Sequence, residues 1–444
     1  MTGPDQGGDL PGAGTGSTGY AWYVVAVLTL ANVSAYVDRQ ILTLLVRPIK
    51  RDLVLSDSEV SLLGGLSFAL FYTLLGFPIA RLADQKSRRA IIAAGVAIWS
   101  VMTALCGAAR SFVQLLLARV GVGVGEAALS PPAYSLIADY FPRERLATAI
   151  SVYTMGVYLG VGLAQLIGGA VIALVGGEQA WQIPLVGAVR PWQVAFFAVA
   201  APGVLLAALM FTVREPRRGQ PAREVVSVGE VVSYLSRNGR TVVPHHLGAA
   251  FIALVNYGYG FWLPTFFERT YGWTASQAGY LLGIANLTFG ISGVALAGRL
   301  ADRWQSAGVA DAKLRVCLIA AVGLAVCDIA TPLMPTGTLA AGWIFPLSFF
   351  ASAPFGVAAA AVQEMVPARM RAQASAVYLF VISLLGLAAG PTLVALATDY
   401  LFRSEALVRY SLVVIAVAGL VPAALLLGGA LAPYRAMVGR LADR

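Results

Sequence analysis

Long apolar stretches separated by short polar connectors run the length of the chain. The apolar segments lie at 21–46, 58–80, 90–109, 112–138, 147–175, 193–213, 242–267, 276–298, 314–333, 338–362, 373–398 and 408–430. Each is close to the roughly 20 residues that a helix needs to cross a bilayer. Hydrocarbon leaves no water for backbone N–H and C=O groups, so a spanning segment of this length must be helical. The pattern predicts an all-α membrane protein with twelve transmembrane helices in two six-helix, pseudo-symmetric bundles. The longest polar interval, Arg214–Arg240, separates the sixth segment from the seventh. The expected organisation is a disordered cytoplasmic tail over 1–19, an N-terminal bundle over 20–213, a cytoplasmic linker over 214–240, a C-terminal bundle over 241–433 and a cytoplasmic tail over 434–444. In the linker, Val225, Val228, Val232 and Leu235 recur at helical spacing among Arg223, Glu230, Arg237 and Arg240, which predicts an interfacial amphipathic helix.

The two halves repeat. Ser56-Asp57-Ser58-Glu59 and Thr274-Ala275-Ser276-Gln277 lie 218 residues apart and open the second and eighth segments. Both have the form of a capping box, in which a hydroxyl and a carboxylate or amide satisfy the first free amides of a helix. Leu82-Ala83-Asp84 and Leu300-Ala301-Asp302 share that offset. Asp139-Tyr140-Phe141-Pro142 and Glu364-Met365-Val366-Pro367 match at 225, as do Ala149, Val152 and Tyr153 with Ala374, Val377 and Tyr378. A duplicated six-span unit predicts a rocking transporter with its site between the halves.

Composition agrees: 58% of residues are hydrophobic and 12% charged, against about 25% charged in soluble domains. The net charge of +9 does not imply nucleic acid, because the excess sits in connectors. Counted over alternate connectors, 21 Lys and Arg fall on one side and 8 on the other, which places both termini in the cytoplasm. Lys occurs only at 50, 86 and 313; this Arg bias, with the Ala and Gly richness, points to a GC-rich bacterial genome and a bacterial inner membrane. The N-terminal stretch lacks the basic segment of a signal peptide. Cys106, Cys317 and Cys327 lie in apolar runs with no metal-binding spacing. No phosphate-cradling loop or nucleophile–base set is visible, so no cofactor, ATP hydrolysis or enzymatic activity is expected. An ion gradient is the remaining energy source.

Charges inside spans carry the sharpest clue, since they are costly there and usually functional. Asp38 and Arg39 lie in the first span, Arg119 and Glu126 in the fourth. Arg119 and Glu126 are seven residues apart, two turns along one helix face. Asp38 and Glu126 are candidate proton carriers, and Arg39 and Arg119 candidate partners for a substrate anion. The competing reading is a static salt bridge between the first and fourth spans. The repeat offsets place Asn256 and Tyr257 opposite Asp38 and Arg39, and Ala351 opposite Glu126, so the fold itself does not require this charged set. Tyr36, Asn256, Tyr257, Trp262, Phe289 and Tyr378 are candidate substrate contacts, although aromatic residues in spans also serve packing. Gly156, Gly160 and Gly162 in the fifth span would permit close helix contact. His245 and His246 are expected at the cytoplasmic interface rather than on a metal. Asp328 is open between a polar helix contact and a second titratable site.

Two motifs add a resemblance. Arg81-Leu82-Ala83-Asp84-Gln85-Lys86-Ser87-Arg88-Arg89 and Arg299-Leu300-Ala301-Asp302-Arg303 resemble the signature loop of the major facilitator superfamily, with Ala80 and Ser87 in place of two of its glycines. The resemblance implies a conformational gate on the cytoplasmic side, with Asp84, Arg88, Asp139, Asp302, Arg303 and Glu364 as its residues. A carboxylate there would sit on a helix N-terminus of the other half, and Arg88 would pair with Asp139. The run Asn32 to Arg39, with Arg119 to Glu126 and Asp139-Tyr140-Phe141-Pro142, resembles the Spinster family within that superfamily. That resemblance implies transport of lysophospholipids or sphingoid phosphates. The expected protein is a monomeric, proton-coupled secondary transporter of an amphipathic anion, with protons and membrane lipids as its other partners. A transporter of small organic anions, a multidrug-type exporter and a membrane sensor or scaffold are the alternatives.

Overall fold

The computed structural model describes residues 18–141, 143–175, 181–183, 187–216, 227–367 and 370–442. Among them, eleven helices are long and apolar enough to cross a membrane. In the first half they are span 1 (Thr18–Leu44), span 2 (Asp57–Ala83), span 3 (Arg88–Ala108), span 4 (Phe112–Tyr140), span 5 (Thr148–Leu174) and span 6 (Pro191–Met210). In the second half they are span 8 (Ala275–Ser306), span 9 (Ala312–Leu333), span 10 (Gly337–Glu364), span 11 (Gln373–Phe402) and span 12 (Glu405–Leu441). Span 7 (Gly239–Tyr271) is the twelfth helix; it carries His245, His246, Glu268 and Arg269 and is enclosed by spans 8, 11 and 12. A two-stranded hairpin, Trp181–Ile183 with Gly187–Val189, lies between spans 5 and 6. Outward-facing apolar side chains such as Leu205 (73% exposed) and Leu425 (72%) suit lipid rather than water.

Spans 1–6 pack chiefly on one another, as do spans 7–12, and the halves meet where span 5 crosses 8, span 2 crosses 11 and span 1 crosses 7. Glycine allows those crossings. A Cβ on Gly279 would sit 2.8 Å from the Gln165 carbonyl oxygen and 3.3 Å from the Gly169 Cα. The glycines of span 5 serve two neighbours: Gly156 and Gly160 face span 1, and Gly162 faces Leu287 and Gly283 of span 8.

Several spans are interrupted. Span 4 is helical over Phe112–Glu126 and again over Ser130–Tyr140, because Pro131 and Pro132 lack the N–H groups that would continue the ladder. Span 10 breaks between Ser352 and Pro354, at the repeat-equivalent place. Span 2 breaks at Gly65, where a Cβ would lie 3.2 Å from the Leu387 carbonyl oxygen of span 11. π-helical turns at Asn286–Gly290 and Ser383–Ala389 widen spans 8 and 11 beside the interface between the halves.

Two predicted segments differ. The linker helix forms as Val228–Arg237, capped by Ser227, but it docks on the second half through buried Val231 and Leu235. Tyr234 Oη donates to the Met365 carbonyl at 3.2 Å, and Val232 is 49% exposed, so the docked face is rotated from the predicted stripe. Val225 lies outside the described residues. Of the expected tail at 434–444, the described residues through Ala442 are instead the end of a helix running Val408–Ala442, held by buried Tyr434 and Met437.

Replacing Gly279 with valine should force spans 5 and 8 apart. Overpacking of about 1–3 kcal/mol would shift the population away from this closed crossing. Spin labels on Ala188 and Pro335, in connectors of opposite halves at this end, should show longer distances; an unchanged distribution would mean that the crossing absorbs the side chain elsewhere.

Candidate functional site

A cavity lies between the halves. Tyr36, Arg39, Gln40 and Thr43 of span 1 form one wall, and Asn256, Tyr257 and Phe261 of span 7 form part of the opposite one. Tyr158, Asn286, Phe355 and Leu387 continue the lining. Among the described lining residues Arg39 is the one cation, and the surface is mainly aromatic and aliphatic.

Arg39 is fixed from several directions. Its Nη2 donates to Glu126 Oε2 at 2.5 Å. The guanidinium carbon lies 4.4 Å from the Phe68 ring centre, 4.8 Å from Tyr36 and 5.4 Å from Tyr72. Ring faces attract a cation within about 6 Å, so span 2 supplies two sides of a cage that span 1 completes. The helix break after Glu126 leaves its carboxylate at the end of a helical segment, pointing to span 1. In the second half, spans 7 and 10 are joined without charge: Asn256 Nδ2 donates to the Ala351 carbonyl at 2.9 Å. Asn256 and Ala351 stand at the repeat offsets of Asp38 and Glu126.

The four charges of spans 1 and 4 do not share one surface. Asp38 turns into the first half, fully buried, with neither carboxylate oxygen in a well-formed hydrogen bond and with Trp99, Arg119 and Glu126 in its electrostatic surroundings. Arg119 is also fully buried. It donates to the backbone carbonyls of Leu63 and Asp38, both at 3.2 Å, and ties span 4 to spans 1 and 2. It does not line the cavity; of the two candidate arginines, Arg39 alone does.

The aromatic candidates divide similarly. Tyr36, Asn256 and Tyr257 line the cavity. Trp262 is buried behind it, its indole N–H donating to the Pro391 carbonyl at 2.9 Å. Phe289 lies outside the lining and packs on Phe345. Tyr378 is buried against His245 and His246. Those histidines are buried inside the second half, with His246 Nδ1 at 2.9 Å from the Val242 carbonyl. Asp328 is fully buried in span 9, and its backbone carbonyl accepts from Tyr259 Oη at 2.5 Å. Among the described residues, no group of three or more His, Cys, Asp or Glu is placed to hold a metal.

Among the gate candidates, Arg88, Asp139 and Glu364 bind within their own halves. Arg88 lies 2.6 Å from Asp139 and 2.9 Å from Glu215 and also donates to Ser135. At the repeat offset of 225, Lys313 lies 2.6 Å from Glu364, which accepts from Gln305 and Tyr434 as well. Asp302 and Arg303 are exposed, and the side chain of Asp84 lies outside what the structure describes. The halves are clamped at the opposite end. Asp57, fully buried at the start of span 2, accepts both terminal nitrogens of Arg269, at 2.6 and 2.7 Å, and Lys50 as well. Glu405 accepts from Lys50 at 2.7 Å and Arg269 at 2.9 Å. Asp399 of span 11 accepts the Ser58 amide at 2.8 Å and its hydroxyl at 2.6 Å. A carboxylate from one half thus does sit on a helix N-terminus of the other, but away from the signature loops. Sequence reasoning missed Asp57, Lys50, Arg269, Asp399 and Glu405; the only local signal was the capping box around Ser56.

Comparison with known proteins agrees with this architecture. The sequence model of the Major Facilitator Superfamily matches residues 28–391. The chain is 32% identical to an MFS-type efflux pump of Mycolicibacterium smegmatis over 91% of both chains. It is 27% identical to protein spinster homolog 3 of Danio rerio, over 90% of this chain and 81% of that protein. A crystal structure of a bacterial homolog of the human lysosomal transporter Spinster, inward-facing and unoccupied, superposes with a TM-score of 0.77 at 30% identity, covering 97% of this chain and 99% of that one.

Glu215, just beyond span 6, makes the first-half strut testable. Burial raises its proton affinity, but the Arg89 amide, the Arg88 guanidinium and the Ser87 hydroxyl outweigh this and hold its carboxyl below the ordinary value of 4.5. A depressed acid stabilises the fold above its unfolded value and loses that contribution as pH falls through the folded one. Glu215→Gln should therefore lower the melting temperature by about 2 °C or more at pH 7, and the difference should shrink below pH 4.5. Thermal scans of both proteins across that range make the measurement; a gap independent of pH would assign the loss to packing.

Proposed function

Since the chain belongs to the Major Facilitator Superfamily and is a multi-pass membrane transporter, we propose that it carries an amphipathic anion, a lysophospholipid or sphingoid phosphate, across the bacterial inner membrane in exchange of state with protons. The observation that carries this reading is Arg39: among the described residues the one cation on the cavity wall, already paired to a carboxylate, facing an aromatic and aliphatic surface. An anionic head would bind Arg39 in place of Glu126, while an apolar body would lie along Tyr158, Phe261, Phe355 and Leu387. Arg suits this exchange, because its planar fork can hold phosphate through two donors at once.

Coupling follows from what is left behind. Once Arg39 turns to the substrate, Glu126 becomes a buried carboxylate without its counter-ion. Such a group is costly unless it takes up a proton. Asp38 is enclosed nearby with unpartnered oxygens and is the second proton carrier of the proposal. Substrate and proton are then bound together. The two halves rock around the cavity with the struts at Arg88–Asp139 and Lys313–Glu364 keeping each half rigid. With both termini cytoplasmic, the clamped end faces outward. The likeness to the inward-facing Spinster homolog supports that assignment.

Polar positions on the same wall, Gln40, Thr43 and Gln165, favour a second reading in which the cargo is a small organic acid. Flux into proteoliposomes distinguishes the two: radiolabelled lysophosphatidate and sphingoid phosphate should be moved, and small sugar acids should not. In Glu126→Gln, uptake driven by a pH gradient should fall at least about tenfold, equivalent to about 1.4 kcal/mol, while exchange of substrate without a gradient survives. Asp38→Asn should behave likewise. Undiminished gradient-driven uptake in both variants would sink the coupling role. Loss of exchange as well, with folding intact, would move Glu126 to substrate binding.

A further inference from the structure

The clamped end holds a second pocket, formed where the short helix Val46–Leu53 meets the end of span 7 and the start of span 12. Its charged lining is Arg47, Lys50, Arg51, Glu268, Arg269 and Glu405, four cations against two carboxylates. Leu44, Leu45, Ile172 and Trp273 make an apolar floor. Two features make this surface more than a solvated basic patch. First, Lys50 and Arg269 are the same groups that join the halves, and both are bonded to Glu405, whose side chain is 60% exposed. An anion arriving from water can replace Glu405 on them at little desolvation cost, because Glu405 returns to water as the anion leaves it. Second, the lip of the pocket is fixed in an uncommon conformation. Val54 adopts a φ of 54° and donates its N–H to the Lys50 carbonyl, which ends the helix there. A β-branched residue in the left-handed region is costly, and such strain concentrates at ligand sites.

We propose that this pocket binds the phosphate or carboxylate head of an anionic amphiphile, and that the bound anion displaces Glu405 from Lys50 and Arg269 and loosens the clamp between the halves. Arg47, exposed and beside Glu268, and Arg51 supply the positive field that draws the anion in. Asp57 remains on Arg269 and Lys50, so the clamp is weakened in steps. The floor takes the first part of an acyl or sphingoid chain. The amphiphile rests on the transport reading given above; the anion site itself does not, and it is tested by static binding and distance rather than by flux.

The experiment uses the full chain in phosphatidylcholine nanodiscs, spin-labelled at Ala188 and Pro335. The probes are hexanoyl lysophosphatidate, inorganic phosphate and monohexanoylglycerol. Hexanoyl lysophosphatidate should bind more tightly than phosphate and lengthen the distance between the labels, and the uncharged glycerol ester should do neither. Arg47→Gln with Arg51→Gln, both outside the clamp, should weaken hexanoyl lysophosphatidate binding about tenfold, the worth of one lost charge-assisted hydrogen bond. The same change should reduce the lengthening while leaving the resting distance alone. Unchanged affinity in that double variant would place the anion in the central cavity and overturn the proposal. Binding without any change in distance would overturn the link to the clamp. Nanodiscs containing phosphatidylglycerol separate the sources: a longer resting distance there identifies a membrane headgroup as occupant, and an unchanged one identifies an anion from solution.

Discussion

A charge inside the membrane must find a partner, and the architecture is arranged around a few such obligations. Leaving a buried ion uncompensated costs about 3–5 kcal/mol. Arg39 meets the requirement with Glu126 and three aromatic rings. Arg119 meets it with the carbonyls of Leu63 and Asp38, available because span 2 breaks at Gly65 and span 1 passes close by. Asp57 meets it with a cation from each half. These solutions differ in permanence. Arg119 is bound to backbone and ties three spans together whatever the substrate does. Arg39 and Asp57 depend on side chains that another ligand or a rocking motion can remove.

The duplicated halves show which contacts the fold needs and which are additions. Spans 1 and 4 touch near Glu126, and spans 7 and 10 touch at the equivalent place through Asn256 and the Ala351 carbonyl. A neutral hydrogen bond is enough to hold that crossing. The charged pair in the first half therefore exceeds the structural requirement, which is the argument for assigning it a role in transport. The struts give the opposite lesson. Arg88–Asp139 and Lys313–Glu364 keep charge in both halves, at matching positions and on the same face of the molecule. Symmetric retention fits a part of the rigid body, since each half must turn without deforming.

Hydropathy is a local property, so the spans, the central divide and the repeat could be read directly from the chain. The Arg88–Asp139 pair was legible through the signature-loop resemblance, which implies it, whereas its counterpart Lys313–Glu364 was not read from the chain. Nor was the clamp. Its pairs across the halves are 212 to 355 residues apart, and Asp57 reads as one letter of a capping box until Arg269 is brought to it. The division of labour between Asp38 and Arg39 was hidden for a different reason. Neighbours on a helix point about 100° apart, so a charged dipeptide cannot serve one surface, but only packing decides which residue turns to the cavity. The same limit applies to Trp262 and Phe261, adjacent residues of which only the second lines the cavity. The π-helical turns of spans 8 and 11 carry no pattern that periodicity would detect.

The two ends of the molecule use carboxylates in unequal ways, and this asymmetry bears on how the halves can part. At the end of the signature loops, Asp139 and Glu364 each bind a cation of their own half. On the clamped side, Asp57 reaches Arg269, Asp399 reaches Ser58 and Glu405 reaches Lys50, each across the two halves. Their burial is graded: Asp57 is enclosed, Asp399 accepts from a helix N-terminus at the interface, and Glu405 reaches water. Surface pairs are worth about 0–1 kcal/mol, and enclosed ones several times more to break. Opening therefore has a natural order. Glu405 releases first at little cost, Asp399 then leaves the Ser58 amide, and the separation of Arg269 from Asp57 is the last and most expensive step. That final step strands Asp57 with Lys50, which belongs to the same half and keeps it paired. A carboxylate held by one cation from each side can thus lose the far partner without becoming an isolated buried charge, and this is what makes a clamp of such strength reversible.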